Sequence, residues 1–165
     1  MARINVDLAG GKNVVAFLDT ITDSELTKAI LDVTDDGYNV IVGSLPSMPI
    51  LFGSYSRHPG ILISLKSGIQ STAAGRYQLL SRYYMYYKTL LKLPDFGPIS
   101  QDKIAIQQIK ESRAYDLIVQ GKFVDAVTRC SHIWASFPGA DYQDQHMQKI
   151  QYLQDCYTNA GGNIV

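Results

Sequence analysis

Apolar positions recur at helical spacing over much of this chain, beginning with the stretch VVAFLDTITDSELT from Val14 to Thr27. Read as a helix, it places Val14, Leu18, Ile21 and Glu25 on one face. That stripe is apolar except for its last member. A buried carboxylate must be neutralised, paired or used, because an unpaired buried charge costs several kcal/mol. The alternative is a helix that ends near Ser24 and leaves Glu25 in solvent.

After this helix the pattern shifts. TDDGYNVIVGSL sets a turn signal before a β-branched run, and GILISLKSG alternates Ile61, Ile63 and Leu65, so the two predict a small sheet. Between them lies PSMPILFGSYSRHPG, which reads either as a mobile lip beside a cleft or as a packed loop. From Ala74 the helical period returns, with Tyr77, Leu80, Tyr84, Tyr87 and Leu91 on one stripe. PISQDKIAIQQIKESRAYDLIVQG predicts a further helix, with Ser100 as N-cap, Ile104, Ile106 and Ile109 inward and Gly121 as a stop. KFVDAVTRCSHIW buries Phe123, Ala126, Val127, Cys130 and Trp134. The last helix, DQHMQKIQYLQDCYTNAGG, turns Met147, Ile150, Leu153 and Tyr157 inward. A helix, a strand-rich region and then several helices make an α+β pattern.

The chain has 165 residues, enough for one domain with a real core; residues 1–12 read as a loose N-terminal segment. Fifteen basic residues balance fifteen acidic ones, so no global field recruits nucleic acid or an anionic membrane. No stretch approaches the roughly 20 apolar residues of a membrane span, and the N-terminus lacks the apolar run of a signal peptide. The expectation is a protein made in the cytoplasm. Cys130 and Cys156 read as packing thiols.

Candidate chemistry narrows quickly. There is no G-x-S-x-G elbow, no HEXXH or CxxC spacing and no phosphate-binding glycine motif, so no metal or cofactor is expected. Carboxylate chemistry on a polysaccharide remains, or binding alone. Only two of the fifteen acidic residues are Glu, and Glu111, flanked by Lys110 and Arg113, is explained by an exposed helix face. A hydrolysing glycosidase ordinarily needs two carboxylates. Asp32, Asp35 and Asp36 read most simply as a solvated turn. A lytic transglycosylase needs only one group, protonated at the start and basic at the end, which suits a glutamate against an apolar wall.

The runs STAAGRYQLLSRYY, LPDFGPISQDKIAIQQIKESRA and CSHIWASFPGADY resemble the lambda-type phage endolysins, lysozymes that are lytic transglycosylases. The similarity extends from about Ala16 to Gly162. It implies a lysozyme-like α+β fold, a mainly helical lobe and a small β-sheet lobe with a cleft between them. It implies cleavage of peptidoglycan glycan strands between N-acetylmuramic acid and N-acetylglucosamine, with Glu25 as the acid. Where that family has Ser-Glu-Gly-Thr, this chain has Ser24, Glu25, Leu26 and Thr27. Leu26 resists the positive φ that glycine allows, so the first helix is expected to run on. Asn39 stands where the family often has an acidic residue. The resemblance places Asn39, Ser71, Thr72, Tyr77, Gln78 and Tyr142 against substrate, with a core-packing alternative for both tyrosines. It also implies a monomer that acts in the periplasm once a separate pore-forming protein releases it.

Two rival readings stay open. One is a wall-binding or virion structural protein on a lysozyme scaffold, weakened by Leu26 and Asn39. The other is a hydrolysing lysozyme that uses an aspartate near position 35.

Overall fold

The computed structural model describes residues 1–65, 68–139 and 147–165. They form two compact units, residues 1–25 with 105–165 and residues 26–104.

The first unit is built on α2 (Lys12–Glu25), whose stripe behaves as the apolar spacing requires: Val14, Leu18 and Ile21 are fully buried. Thr20 and Thr22, also buried, donate their hydroxyls to the carbonyls of Ala16 and Leu18 one turn back, so neither hydroxyl is stranded. Phe17 meets Phe123, Phe137 and Tyr157 edge-on at centroid distances of 5.9, 5.9 and 6.4 Å. Those partners come from α7 (Phe123–Cys130), the segment after it and α8 (Ile150–Asn159). The inward residues expected on α7 are buried, as are Leu153 and Tyr157 of α8. Met147 is exposed, because α8 begins only at Ile150 and its helical phase does not reach back to it. Cys130 and Cys156 are free thiols.

The first twelve residues depart from the loose segment expected of them. Asn5 caps α1 (Val6–Ala9), Gly10 closes it at φ 100°, and Ala2, Ile4 and Ala9 are buried. The Ala2 amide donates to Asp19 Oδ1 at 2.7 Å. Helix α2 also departs from expectation at its far end. It stops at Glu25, and the chain re-enters α3 (Lys28–Asp32) through Thr27 in extended conformation. Leu26 turns the chain without a positive φ, so the exit needs no glycine.

In the second unit the sheet is smaller and differently placed than expected. Strands β1 (Ile63–Ser64) and β2 (Gln70–Ser71) pair antiparallel, with Ile63 opposite Ser71 and Ser64 opposite Gln70. The run expected as the first strand makes only single bridges, Val40 to Leu51 and Ile41 to Ala74. Gly37 and Gly43, both at positive φ, close it at each end, and the Ser44 hydroxyl holds Ile50 through its amide and carbonyl. Phe52 is anchored in a core with Ile41, Leu79, Tyr84, Tyr87 and Phe96, while Leu45, Met48 and Leu51 stay exposed.

Helix α4 spans only Ser81–Leu90. Residues 74–79 form a turn, because Gly75 (φ 81°) and Gln78 (φ 50°) lie in the left-handed region, and Tyr77 is therefore not helical. Helix α5 (Pro98–Glu111) carries the chain back to the first unit and has proline at its first position. Ser100 is not its N-cap. Asp95 Oδ1 instead accepts from the Gly97 amide and the Ser100 hydroxyl, both at 2.8 Å. The single helix expected to run on to Gly121 is broken, with Arg113 at φ 57°, so α6 (Tyr115–Val119) is a separate helix, which Gly121 (φ 77°) ends.

Candidate active site

Glu25 is the last residue of α2, partly buried at the end of the apolar stripe. Its partner comes from far along the chain. Trp134 and Phe137, both buried, fix the segment between them, and Ser136 donates its hydroxyl to Glu25 Oε1 at 2.5 Å. The Ser136 carbonyl accepts from the Gln148 amide at 2.8 Å, which holds the backbone there. Ser24, the residue before Glu25, donates its own hydroxyl to Ser136 Oγ at 2.5 Å. Burial raises the proton affinity of Glu25 above the usual carboxylate range, and the side-chain and backbone hydrogen bonds of Ser136 pull the other way. The solvent-facing alternative for Glu25 is therefore not the one adopted. Nothing in the sequence pattern singled out Ser136; it became visible only through folding.

The other candidates on described residues lie in the second unit, and most hold the chain. Asn39 Oδ1 accepts from the Asp35 amide at 3.0 Å. Ser71 Oγ accepts from the Ala73 amide, and Thr72 Oγ1 accepts from both the amide and the hydroxyl of Ser81, where α4 begins. Gln78 donates to the Gly75 carbonyl at 2.9 Å, closing the 75–78 turn. Tyr142 lies outside the described residues.

Tyr77 takes the core alternative. It is buried, and its hydroxyl donates to Asp102 Oδ1 at 2.6 Å. Tyr38 donates to the same oxygen at 2.8 Å, and Asp102 is fully buried. Burial and the neighbouring Asp102 charge push the Tyr77 hydroxyl well above its ordinary pKa, so it remains a donor. Around this pair, Gln101 donates to the carbonyls of Tyr38 and Phe96 and accepts from the Arg76 amide. Arg76 pairs with Asp36 at 2.9 Å and lies over the Tyr38 ring, its centroid 5.1 Å away. Asp35 Oδ2 accepts from the Tyr55 hydroxyl at 2.5 Å. Asp35 and Asp36 are thus held by named partners within their own unit and are not the free solvated turn expected of them. Among the described residues no group of three or more His, Cys, Asp or Glu could hold a metal ion, and no helix is long and apolar enough to cross a membrane.

Comparison with known proteins is consistent across sequence and structure. The family model described as Endolysin matches residues 15–164. The endolysin of Escherichia phage lambda is 46% identical over 150 residues, covering 90% of this chain and 91% of its own. The endolysin of Escherichia phage P2 is 41% identical over 156 residues, covering 92% and 94%. The solved structure of bacteriophage lambda lysozyme complexed with a chitohexasaccharide superposes with a TM-score of 0.85 at 43% identity, covering all of both chains. A second lambda lysozyme structure gives 0.82. With a matching α+β lysozyme-like fold and relatives this similar over nearly their whole length, the chain belongs to the endolysin family.

Proposed function

We propose that this endolysin cleaves peptidoglycan as a lytic transglycosylase in which Glu25 serves as both acid and base. The observation that carries the reading is the state of Glu25, a half-sequestered carboxyl whose burial favours the protonated form. Such a group can give its proton to the glycosidic oxygen as the bond to C1 of N-acetylmuramic acid breaks. The C6 hydroxyl of the same sugar then attacks C1, and its proton passes to the Glu25 carboxylate, which restores the acid. No water is consumed and no glycosyl ester forms.

A hydrolase would need a second carboxylate to activate water or to act as nucleophile. The aspartates nearest position 35 are poorly suited to that, since Asp36 is ion-paired with Arg76 and Asp35 already accepts from Tyr55. A relative complexed with a chitohexasaccharide supports a glycan strand as the substrate. In this reading the enzyme is made in the host cytoplasm and reaches the periplasm through a separate pore-forming protein.

Mass spectrometry of the digested wall tests the mechanism. Fragments ending in 1,6-anhydro-muramic acid, lighter by one water than reducing ends, are the expected product. Ordinary reducing muramic acid at the cleaved ends would overturn the proposal in favour of hydrolysis. Pull-down with the wall and no loss of turbidity would point to a binding module.

A further inference from the structure

A chain of hydroxyls, Ser24 to Ser136 to Glu25, reaches one named oxygen of the carboxyl group, Oε1. Once Glu25 has given up its proton the carboxylate has none to offer, so in that state Ser136 is the donor in its contact with Oε1. Its single hydroxyl proton is then engaged, and Ser136 Oγ can only accept from Ser24, which is the arrangement found. Each bond polarises the next, which strengthens the one that reaches the carboxylate. Both contacts measure 2.5 Å, and for the one that ends on the carboxylate this is the short range of a charge-assisted O–H···O⁻ bond.

We propose that Ser136, itself oriented by Ser24, is a positioning residue that fixes Oε1 of Glu25 as the accepting oxygen and reserves Oε2 for the proton exchanged with substrate. This rests on Glu25 being the acid. The same hydroxyl stabilises the carboxylate left after proton donation, so it also limits how far burial can lift the proton affinity of Glu25. Burial lifts that affinity and the hydrogen bonds of Ser136 lower it.

The composition of the chain gives a direct readout, because Glu25 and Glu111 are its only glutamates. In protein carrying ¹³C at the glutamate side-chain carboxyl, two glutamate resonances are expected, and E111Q assigns them. S136A is expected to raise the Glu25 midpoint by about one unit and S24A to raise it less, while Glu111 does not move. The alkaline limb of the lysis profile should follow Glu25 upward, with the plateau rate of S136A down about tenfold. An unchanged or lowered Glu25 midpoint in folded S136A overturns the proposal. So does a loss of rate with the alkaline limb unmoved. The reading of Glu25 fails separately: if E25Q still lyses wall while S136A shifts the midpoint, the hydroxyl contact stands and the acid lies elsewhere.

Discussion

Replacing Tyr77 with Phe separates two roles for the STAAGRYQ run. The ring stays in the core and only the hydroxyl is lost, and with it the 2.6 Å bond to Asp102 Oδ1. A hydrogen bond to a charged group contributes about 1.5–3 kcal/mol net. Asp102 is fully buried but is not orphaned, because Tyr38 still donates to the same oxygen at 2.8 Å. That places the cost within the range rather than above it. For a chain of this size each kcal/mol moves the midpoint by roughly 2–4 °C, so Y77F should melt about 3–12 °C lower. Thermal unfolding followed by circular dichroism measures the shift, and turbidity clearing of a wall suspension at 25 °C measures activity. Well below its melting point the variant should keep most of its lysis rate. A melting point within a degree of the parent, together with a clear rise in KM, would show that the hydroxyl serves substrate and would refute the structural role.

Three further outcomes follow from neighbouring geometry. Glu25→Gln removes the transferable proton, and lysis should fall by at least about 100-fold. Its stability effect has a definite sign. Burial raises the folded-state pKa of Glu25 above its ordinary 4.5, so the native chain binds its proton more tightly than the unfolded chain, and ionisation erodes stability as pH rises through that window. E25Q should therefore melt higher than the parent at pH 7 and lose that advantage below about pH 4, and a lower melting point at neutral pH would contradict the burial effect. Gly75→Ala should destabilise by about 2 kcal/mol or more in urea unfolding. Gly75 sits at φ 81°, and an added Cβ would lie 2.3 Å from the Gln101 oxygen that accepts from the Arg76 amide. Thiol titration of the unfolded, unreduced protein should find two free groups, with Cys130 the slower in the native state because burial pushes its pKa to about 12; finding none would sink the assignment.

Helices announced by a continuous apolar stripe were legible, and those whose limits depend on turn chemistry were not. α2 and α7 place their apolar residues inward as their periodicity requires. The tyrosine stripe from Tyr77 to Leu91 has the same period, yet its first part is a turn, because two left-handed residues at Gly75 and Gln78 interrupt it. Tyr77 nonetheless remains buried, held by Asp102 rather than by helical phase. The N-cap assigned to Ser100 failed for a related reason: proline tolerates the first helical position, so the helix starts at Pro98, and the Ser100 hydroxyl, already inside the helix, donates to Asp95. In the 39–43 run the β-branched residues were real, but glycines at both ends confined them to single bridges.

The site divides along a similar line. Glu25 could be singled out because it is a lone carboxylate on an apolar face, a local property of fourteen residues of helix. What makes that carboxylate usable is not local. Ser136 lies 111 residues away and Asp102 lies 64 residues from Tyr38, and no periodicity carries information across such separations. Serine is also among the least distinctive residues in a sequence, polar enough for any surface and small enough for most interiors. Its chemistry here follows from donor arithmetic: one hydroxyl proton directed at a carboxylate forces the oxygen behind it to accept, and the second hydroxyl to donate. A single Ser136→Ala change would therefore remove the hydroxyl donor to Glu25, while the backbone amide of residue 136 stays, and leave Ser24 without its acceptor, so the two serines should couple. The double variant S24A/S136A should fall no further in plateau rate than S136A alone, and additive losses would mean that Ser24 acts by another route.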